Sequence, residues 1–169
     1  METFQTVAHV AAVNGCVLHQ VDIKMAFLRG KLGEEVYMKQ PKGFEMEGQE
    51  DHLWELQKGL YGLPQAGRIW NKAMNQGMLS LGFMWIKCKY CLYFHQTDAD
   101  MLLTDTHIDD FFLATSCLIQ ATDFKQQLAS IWEVFNLGEA TFCISITIEQ
   151  DLVNHHIYLC NRGFPPFTI

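Results

Sequence analysis

Residues 101–115 read MLLTDTHIDDFFLAT, two apolar runs separated by the paired acids Asp109 and Asp110. Two apolar runs around a polar break predict a β-hairpin, and this hairpin would carry both carboxylates at its tip. Ionised carboxylates between apolar residues destabilise a fold unless a positive partner lies near them. A solvated turn is the alternative, because Asp is a favoured turn residue, and the local sequence leaves both interpretations open.

A third acid, Asp22, lies at the end of another apolar segment. Residues 16–23 are mostly apolar and β-branched and predict a buried strand, whose terminal acid could reach the hairpin tip. Residues 91–169 contain two Lys or Arg against ten Asp or Glu, a balance of −8. The expected partner of the three carboxylates is therefore a divalent cation, Mg²⁺ or Mn²⁺. Taken singly, Asp22 could also be an ordinary acid at a strand end.

The other apolar patterns predict further helices and strands. Amphipathic helices are predicted over residues 3–13, 65–81 and 118–135. Short strands are predicted over residues 90–94, 142–148 and 157–159. Residues 30–51 are charged and contain a Pro-Lys-Gly turn, which indicates an exposed ribbon or loop. This order favours an α+β fold, an antiparallel sheet with helices packed on one face.

The composition excludes several classes of protein. The chain has 169 residues, 49% hydrophobic and 18% charged, which indicates a globular domain rather than a disordered segment. No apolar run approaches the roughly 18 residues that a membrane span needs. Six cysteines scattered through apolar segments indicate buried thiols and an intracellular setting, cytoplasmic or nuclear. With three arginines in the chain, the composition alone argues against a nucleic-acid binder.

Four blocks of the sequence resemble one known family. The blocks are His19–Leu28 (HQVDIKMAFL), Glu35–Phe44 (EVYMKQPKGF), Leu60–Ala66 (LYGLPQA) and Ile108–Asp110 (IDD). In this order and spacing they resemble the reverse transcriptase domain of copia-type retrotransposons, a part of the Pol polyprotein. The resemblance extends from about residue 1 to residue 159, and the succession of four blocks makes it specific.

The resemblance implies a fold and a reaction. The fold would be a polymerase palm with a ferredoxin-like core over residues 1–160, followed by a divergent tail over residues 161–169. The reaction would be RNA-directed DNA synthesis, which needs a primer, an RNA or DNA template and deoxynucleoside triphosphates. Family members also have basic fingers, a thumb and an RNase H region, and we expect these segments to be largely missing here.

The resemblance also implies roles for particular residues. Asp22, Asp109 and Asp110 would be the catalytic acids and the ligands of Mg²⁺ or Mn²⁺, in two-metal nucleotidyl transfer to a primer 3′-hydroxyl. Asp22 and Asp109 would bind both metals, and Asp110 would be a third, less essential acid. The implied nucleotide-binding residues are Ile23, Phe27 and Gln65.

Two of these nucleotide-binding residues have distinct implied roles. Phe27 matches the aromatic residue that lies under the sugar and excludes a 2′-hydroxyl. Its alternative role is that of an ordinary core aromatic. Gln65 matches the block that contacts the nucleotide and the template, and could otherwise be a surface glutamine at the start of a helix.

Four positions depart from the family pattern. His107 stands where a tyrosine is usual, Ser145 where a glycine is usual, and Gly67 where a proline is usual. Asp105 lies in a strand that is normally apolar. Strand alternation would place Asp105, His107 and Asp109 on one face, where a buried charge destabilises the hairpin.

Three functions agree with these features. The leading hypothesis is a reverse transcriptase, and the second is a truncated, catalytically silent transposon remnant that still folds as a palm. A metal-dependent nuclease could use the same acids, but gives Phe27 and residues 63–65 no role. For the polymerase we expect the carboxylates of Asp22 and Asp109 within about 8 Å of each other, since bridged metals lie about 4 Å apart. We also expect the ring of Phe27 beside Asp22.

Overall fold

A computed structural model describes residues 2–87, 89–97, 100–143 and 145–161, and the backbone of residues 167–168. The chain forms two compact units: Met1–Lys24 together with Asn75–Ile169, and Met25–Met74. The tail predicted over residues 161–169 lies mostly outside the described residues. Of the helices in the described ranges, none combines the length and apolar character that crossing a bilayer requires.

Helices and antiparallel strands alternate along the chain, which confirms the predicted α+β class. The helices are α1 (Glu2–Val13), a 3₁₀ helix (Ala26–Arg29), α2 (Ala66–Ser80) and α3 (Leu118–Ile131). The strands of the described residues are β1 (Val17–Ile23), β2 (Tyr37–Lys39), β3 (Leu53–Glu55), β4 (Met84–Trp85), β5 (Leu92–Gln96), β6 (Met101–His107), β7 (Asp110–Thr115), β8 (Val134–Glu139), β9 (Phe142–Cys143), β10 (Ile146–Asp151), β11 (His156–Asn161) and β12 (Phe167–Thr168).

The first helix forms and ends as its sequence predicts. Residues spaced three and four apart in α1 are buried, and they are Phe4, Val7, Ala8, Ala11 and Ala12. α1 ends at Val13 and is followed by Gly15, whose φ of +60° is the left-handed conformation that glycine adopts without strain. The N–H of Cys16 then donates to the carbonyl of Ala11 at 2.8 Å, which caps the last turn.

A six-stranded antiparallel sheet forms the centre of the larger unit, with the strand order β4-β5-β6-β7-β1-β8. β6 and β7 form the predicted hairpin, and Ile108 and Asp109 connect them. β1 lies beside β7, so the strand that ends near Asp22 is hydrogen-bonded to the hairpin strand that begins at Asp110. The sheet therefore brings the two acidic segments together.

Helices cover both faces of this sheet, so the prediction of helices on one face is wrong. Phe4 of α1 packs against Phe112, with ring centroids 5.0 Å apart. Trp132, which follows α3, packs against the adjacent residue Phe111 at 6.4 Å. Adjacent strand residues point to opposite faces, so α1 and the end of α3 lie on opposite sides. The physical reason is that residues 111–115 are buried without alternation, and such a strand needs cover on both faces.

A second sheet of four strands, in the order β12-β11-β10-β9, packs on the same core as α1. β10 and β11, which lie where the last two short strands are predicted, form a hairpin with Ile148 opposite Leu159. Their apolar side chains join those of α1 and the central sheet in one hydrophobic cluster. The members contributed by these two strands are Ile146, Ile148, Ile157 and Leu159.

The third helix is shorter than predicted. α3 ends at Ile131 rather than at Phe135, because the backbone of Trp132 is extended, with φ −131° and ψ 156°. Val134–Glu139 forms β8, an edge strand that pairs with β1. The ring of Phe135 is 50% exposed on this strand instead of continuing the helical stripe. Pairing with β1 is a long-range contact, which helical periodicity does not reveal.

The smaller unit carries the exposed ribbon predicted for residues 30–51. β2 and β3 pair in antiparallel fashion, with Met38 opposite Trp54. Residues 42–52, which connect these strands, are exposed. This confirms the prediction that the charged segment lies on the surface.

Candidate active site

Asp22 and Asp110 lie opposite each other at one end of the β1–β7 pair. Asp22 is the penultimate residue of β1, Asp110 is the first residue of β7, and the register makes them direct partners. Directly opposed residues of antiparallel strands point to the same face, with Cβ atoms about 4.5–5.5 Å apart. The register therefore places these two carboxylates, which are far apart in the sequence, on the same side of the sheet.

A backbone hydrogen bond connects Asp109 to the end of β1 that carries Asp22. The N–H of Ile23, next to Asp22, donates to the carbonyl of Asp109 at 2.7 Å. This hydrogen bond fastens the end of β1 to the hairpin turn. The backbones of Asp22, Asp109 and Asp110 thus lie together at this end of the sheet, while the distance between the carboxylates of Asp22 and Asp109 stays a prediction.

The hairpin turn is tight and strained. Residues His107 and Asp110 form the last pair of the hairpin, which leaves Ile108 and Asp109 to make the turn. Ile108 has a φ of +57°, and the left-handed region costs an L-residue about 1–2 kcal/mol. A β-branched residue is an unusual occupant of this conformation. Strain of this kind is typical of functional turns, and here it lies beside Asp109.

The pKa of Asp22 reflects its burial and the two acids beside it. Burial raises the pKa of Asp22, and the nearby carboxylates of Asp109 and then Asp110 raise it further. A raised pKa means that the ionised form of Asp22 is disfavoured at this place, and a divalent cation among the oxygens would reverse that effect. Within the described ranges, no three His, Cys, Asp or Glu side chains are grouped in an arrangement that could hold a metal ion. The donor chemistry fits a hard divalent cation, and the three-acid ligand set stays a prediction.

Sequence reasoning missed Gln20 as a residue of this site. The Nε2–H of Gln20 donates to Oδ1 of Asp110 at 2.8 Å. Gln20 precedes Asp22 by two residues, so both side chains lie on the same face of β1. The available signal was a polar residue that interrupts an apolar strand, two positions before the acid.

Lys24, a positively charged residue two positions after Asp22, is paired with an acid. Lys24 forms an ion pair with Glu133, and its backbone N–H donates to the carbonyl of Glu133 at 2.9 Å. The Nζ atom of Lys24 also lies 5.8 Å from the ring centroid of Phe135. Phe135 is the β8 partner of Asp22 in the register. An aromatic ring and a paired lysine therefore border the acids on the β8 side.

Asp105 is buried two residues from the end of β6. Its side chain lies between Leu92 of β5 and Phe112 of β7 in the register, and it is 5% exposed. Burial raises the pKa of Asp105 to about 6, against smaller opposing effects of the chain's N-terminus and the backbone of Thr106. The acid that departs from the family pattern thus occupies an apolar part of the central sheet.

The three predicted nucleotide-binding residues occupy different environments. Ile23 is fully buried at the end of β1. Phe27 belongs to the 3₁₀ helix, is half-buried, and packs against Tyr61 with ring centroids 4.5 Å apart. Gln65 is half-buried before α2, and its carbonyl accepts a hydrogen bond from the N–H of Ile69 at 3.0 Å. The placement of Phe27 beside Asp22 stays a prediction, because the two residues belong to different compact units.

The comparison with known families decides where the chain belongs. The model of the reverse transcriptase (RNA-dependent DNA polymerase) family matches residues 1–164. The chain belongs to the reverse transcriptase family. This confirms the resemblance to the reverse transcriptase domain of copia-type retrotransposons. Reverse transcriptases generally use divalent metal ions.

Similar proteins come from transposons of fungi and plants. A transposon Ty5-1 protein of Saccharomyces cerevisiae is 32% identical over 130 residues, which are 77% of this reverse transcriptase chain and 42% of that protein. The retrovirus-related Pol polyprotein from transposon TNT 1-94 of Nicotiana tabacum is 29% identical over 165 residues, 97% of this chain and 12% of the polyprotein. That from transposon RE2 of Arabidopsis thaliana is 32% identical over 134 residues, 78% of this chain and 9% of the polyprotein.

The chain therefore spans less than half of the yeast relative and about a tenth of the plant polyproteins. No solved structure matches this chain.

Proposed function

We propose that this reverse transcriptase domain catalyses RNA-directed DNA synthesis. It would transfer a nucleotide from a deoxynucleoside triphosphate to a primer 3′-hydroxyl on an RNA or DNA template, within a larger Pol polyprotein. The observation that carries the proposal is the convergence of Asp22, Asp109 and Asp110 at one end of the β1–β7 pair. We further infer that the larger unit is a polymerase palm, an inference supported by its antiparallel sheet with Asp22 and Asp110 at one end.

In this proposal Asp22 and Asp109 hold two divalent cations, Mg²⁺ or Mn²⁺, and Asp110 is the third ligand. Carboxylate oxygens are the ligands these cations prefer, and a bound cation would offset the burial and the carboxylate repulsion that raise the pKa of Asp22. The bound cations supply a lowered pKa for the primer hydroxyl and charge neutralisation at the leaving pyrophosphate. The hydrogen bond from Ile23 to Asp109 holds the turn against β1, which keeps the acids in register.

The nucleotide would be positioned by residues outside the acids. Phe27 is the proposed sugar-contacting aromatic, and its packing on Tyr61 supports a fixed ring position. Gln65 would contact the nucleotide and the template from the start of α2. Positioning of this kind matters because misplacing the reacting groups by about 1 Å costs about a hundredfold in rate.

Primer extension tests the proposal directly. Purified residues 1–169 are incubated with a primed RNA template and deoxynucleoside triphosphates, at low salt and with Mg²⁺ or Mn²⁺. We expect extension that depends on the cation and is lost in Asp109→Asn. Asp123→Asn, which changes an exposed acid of α3, is the matched control and should retain activity. Extension that survives Asp109→Asn would contradict the assignment of the acids.

A catalytically silent remnant is the second candidate. The observation that favours it is the buried carboxyl of Asp105 at the centre of the sheet. A buried charge destabilises the fold, and selection for activity would be expected to remove it. A folded chain, by circular dichroism, that neither binds Mn²⁺ nor extends a primer would support the remnant over the polymerase.

A further inference from the structure

Gln20 makes a specific contact with one of the three acids. Its Nε2–H donates to Oδ1 of Asp110 at 2.8 Å, and among the described residues this is the one hydrogen bond of the Gln20 side chain. An ionised carboxylate can only accept hydrogen bonds, so the nitrogen of the amide has to face it. The contact joins β1 to β7 beside the pair formed by Asp22 and Asp110.

Neither cross-strand neighbour of Gln20 offers its amide a polar side chain. Gln20 is half-buried, and its register partner on β7 is Phe112, which is fully buried. Its register partner on β8 is Gly138, which has no side chain. A half-buried amide between a ring and a glycine is satisfied by Asp110, and the contact fixes the side-chain conformations of both residues.

A fixed Asp110 matters because its neighbour is another carboxylate. Asp110 lies directly across from Asp22, and two negative charges in this arrangement repel each other. The hydrogen bond engages Oδ1 of Asp110 and leaves Oδ2 as the oxygen without this contact. In metal sites, partners that hydrogen-bond the ligating carboxylates orient them, and their loss typically weakens metal binding by about 10–100-fold.

We propose that Gln20 is a positioning residue of the candidate metal site, which acts through Asp110 by holding that carboxylate for a divalent cation. This inference rests on the proposed function, because it presumes that Asp110 contributes to a cation site. It assigns a role to a residue that touches neither the nucleotide nor the reacting atoms. Gln20 would thus orient the carboxylate of Asp110, while Asp22 and Asp109 would be the main ligands of the cations.

The test measures Mn²⁺ binding rather than polymerisation. Free Mn²⁺ is followed by electron paramagnetic resonance in titrations of the full chain and of Gln20→Met, which keeps the length of the side chain and removes the donor. We expect Kd for Mn²⁺ to rise by about tenfold or more. Gln127→Met, an exposed position on α3, is the matched control and should leave Kd unchanged. If Gln20→Met does not fold, Gln20→Asn, whose amide is one methylene shorter, is measured in its place.

A double-mutant cycle separates positioning from a general structural role. If Gln20 acts through Asp110, Gln20→Met should change the Mn²⁺ affinity by less than about twofold in the Asp110→Ala background, which has no side-chain acceptor. An equal loss of affinity in both backgrounds, or no loss in the native background, would overturn the inference.

The same titrations distinguish this inference from the proposed function. Asp22→Asn and Asp109→Asn should each weaken Mn²⁺ binding strongly. If they do and Gln20→Met does not, the metal site stands and the role of Gln20 fails. If neither acid affects Mn²⁺ binding, the proposed metal site fails, and the role of Gln20 fails with it.

Discussion

Replacing Asp105 by valine should stabilise the larger unit, because the change removes a buried charge from the centre of the sheet. The carboxyl is 5% exposed, lies between Leu92 and Phe112, and has a pKa that burial raises from 3.8 to about 6. At pH 7 it is therefore ionised among apolar neighbours. Valine fits a buried strand position through both its shape and its lack of charge.

The magnitude follows from the pKa difference between the folded and unfolded states. A pKa raised from 3.8 to about 6 corresponds to about 3 kcal/mol of destabilisation at pH 7. The pKa of Asp105 is higher in the folded state than in the unfolded state, so the folded state binds the proton up to a higher pH. The contribution of Asp105 to stability therefore decreases as the pH rises from about 4 to about 6. Below about pH 4 both states are protonated and the effect disappears. At pH 7, Asp105→Val should raise Tm by about 6–12 °C, since 1 kcal/mol corresponds to about 2–4 °C at this chain length.

Thermal unfolding followed by circular dichroism at pH 4 and pH 7 measures this difference. Asparagine has the size of aspartate without its charge. Asp105→Asn should therefore not show the loss of stability between pH 4 and pH 7 that ionisation of Asp105 causes in the native chain. Asp123→Asn removes an exposed acid of α3 and should leave Tm unchanged at both pH values. An equal gain for Asp105→Val at pH 4 and pH 7, or a lower Tm at pH 7, would refute the argument from buried charge.

Four other perturbations test different parts of the structure. Ser145→Gly should raise the free energy of unfolding by about 1 kcal/mol in urea titrations, because Ser145 has a φ of +67° that glycine adopts without strain; a loss of stability would contradict this. Gly77→Ala should lower it by about 1–3 kcal/mol, because a Cβ there would lie 2.4 Å from the ring of Trp132; an unchanged midpoint would show that the ring moves freely. If the chain polymerises, Phe27→Ala should incorporate ribonucleotides more readily, and unchanged sugar selectivity in primer extension would count against the proposed gate. At ordinary salt, residues 1–169 should extend a primed RNA template poorly, because a half with a balance of −8 repels a polyanion; robust extension would disprove this.

The sequence predicted most elements because their signals are local. The hairpin over residues 101–115 and the helix over residues 3–13 follow from alternation, spacing and turn residues that lie within a few positions of each other. Ser145, noted as standing where glycine is usual, does occupy a left-handed conformation. A left-handed backbone favours glycine at the residue that adopts it. The glycine that is usual at this position therefore indicated the conformation without knowledge of any tertiary contact.

Long-range pairing explains the elements that the sequence did not predict. The sequence predicts a helix that extends into β8, because Phe135 continues an apolar stripe and nothing local indicates the hydrogen bonds to β1. The apolar run at residues 111–115 could have indicated burial on both faces, yet which helix covers which face depends on chain paths between distant residues.

By itself, the sequence determined that Asp22, Asp109 and Asp110 are acids beside apolar strands, and that they match a polymerase pattern. Only the tertiary structure decided that Asp22 faces Asp110, that Ile23 holds the carbonyl of Asp109, and that Gln20 donates to Asp110. A one-residue slip in the β1–β7 register would move Asp22 and Gln20 to the opposite face. Register is fixed by the packing of both sheet faces against distant helices and strands, so no local stretch of sequence contains it.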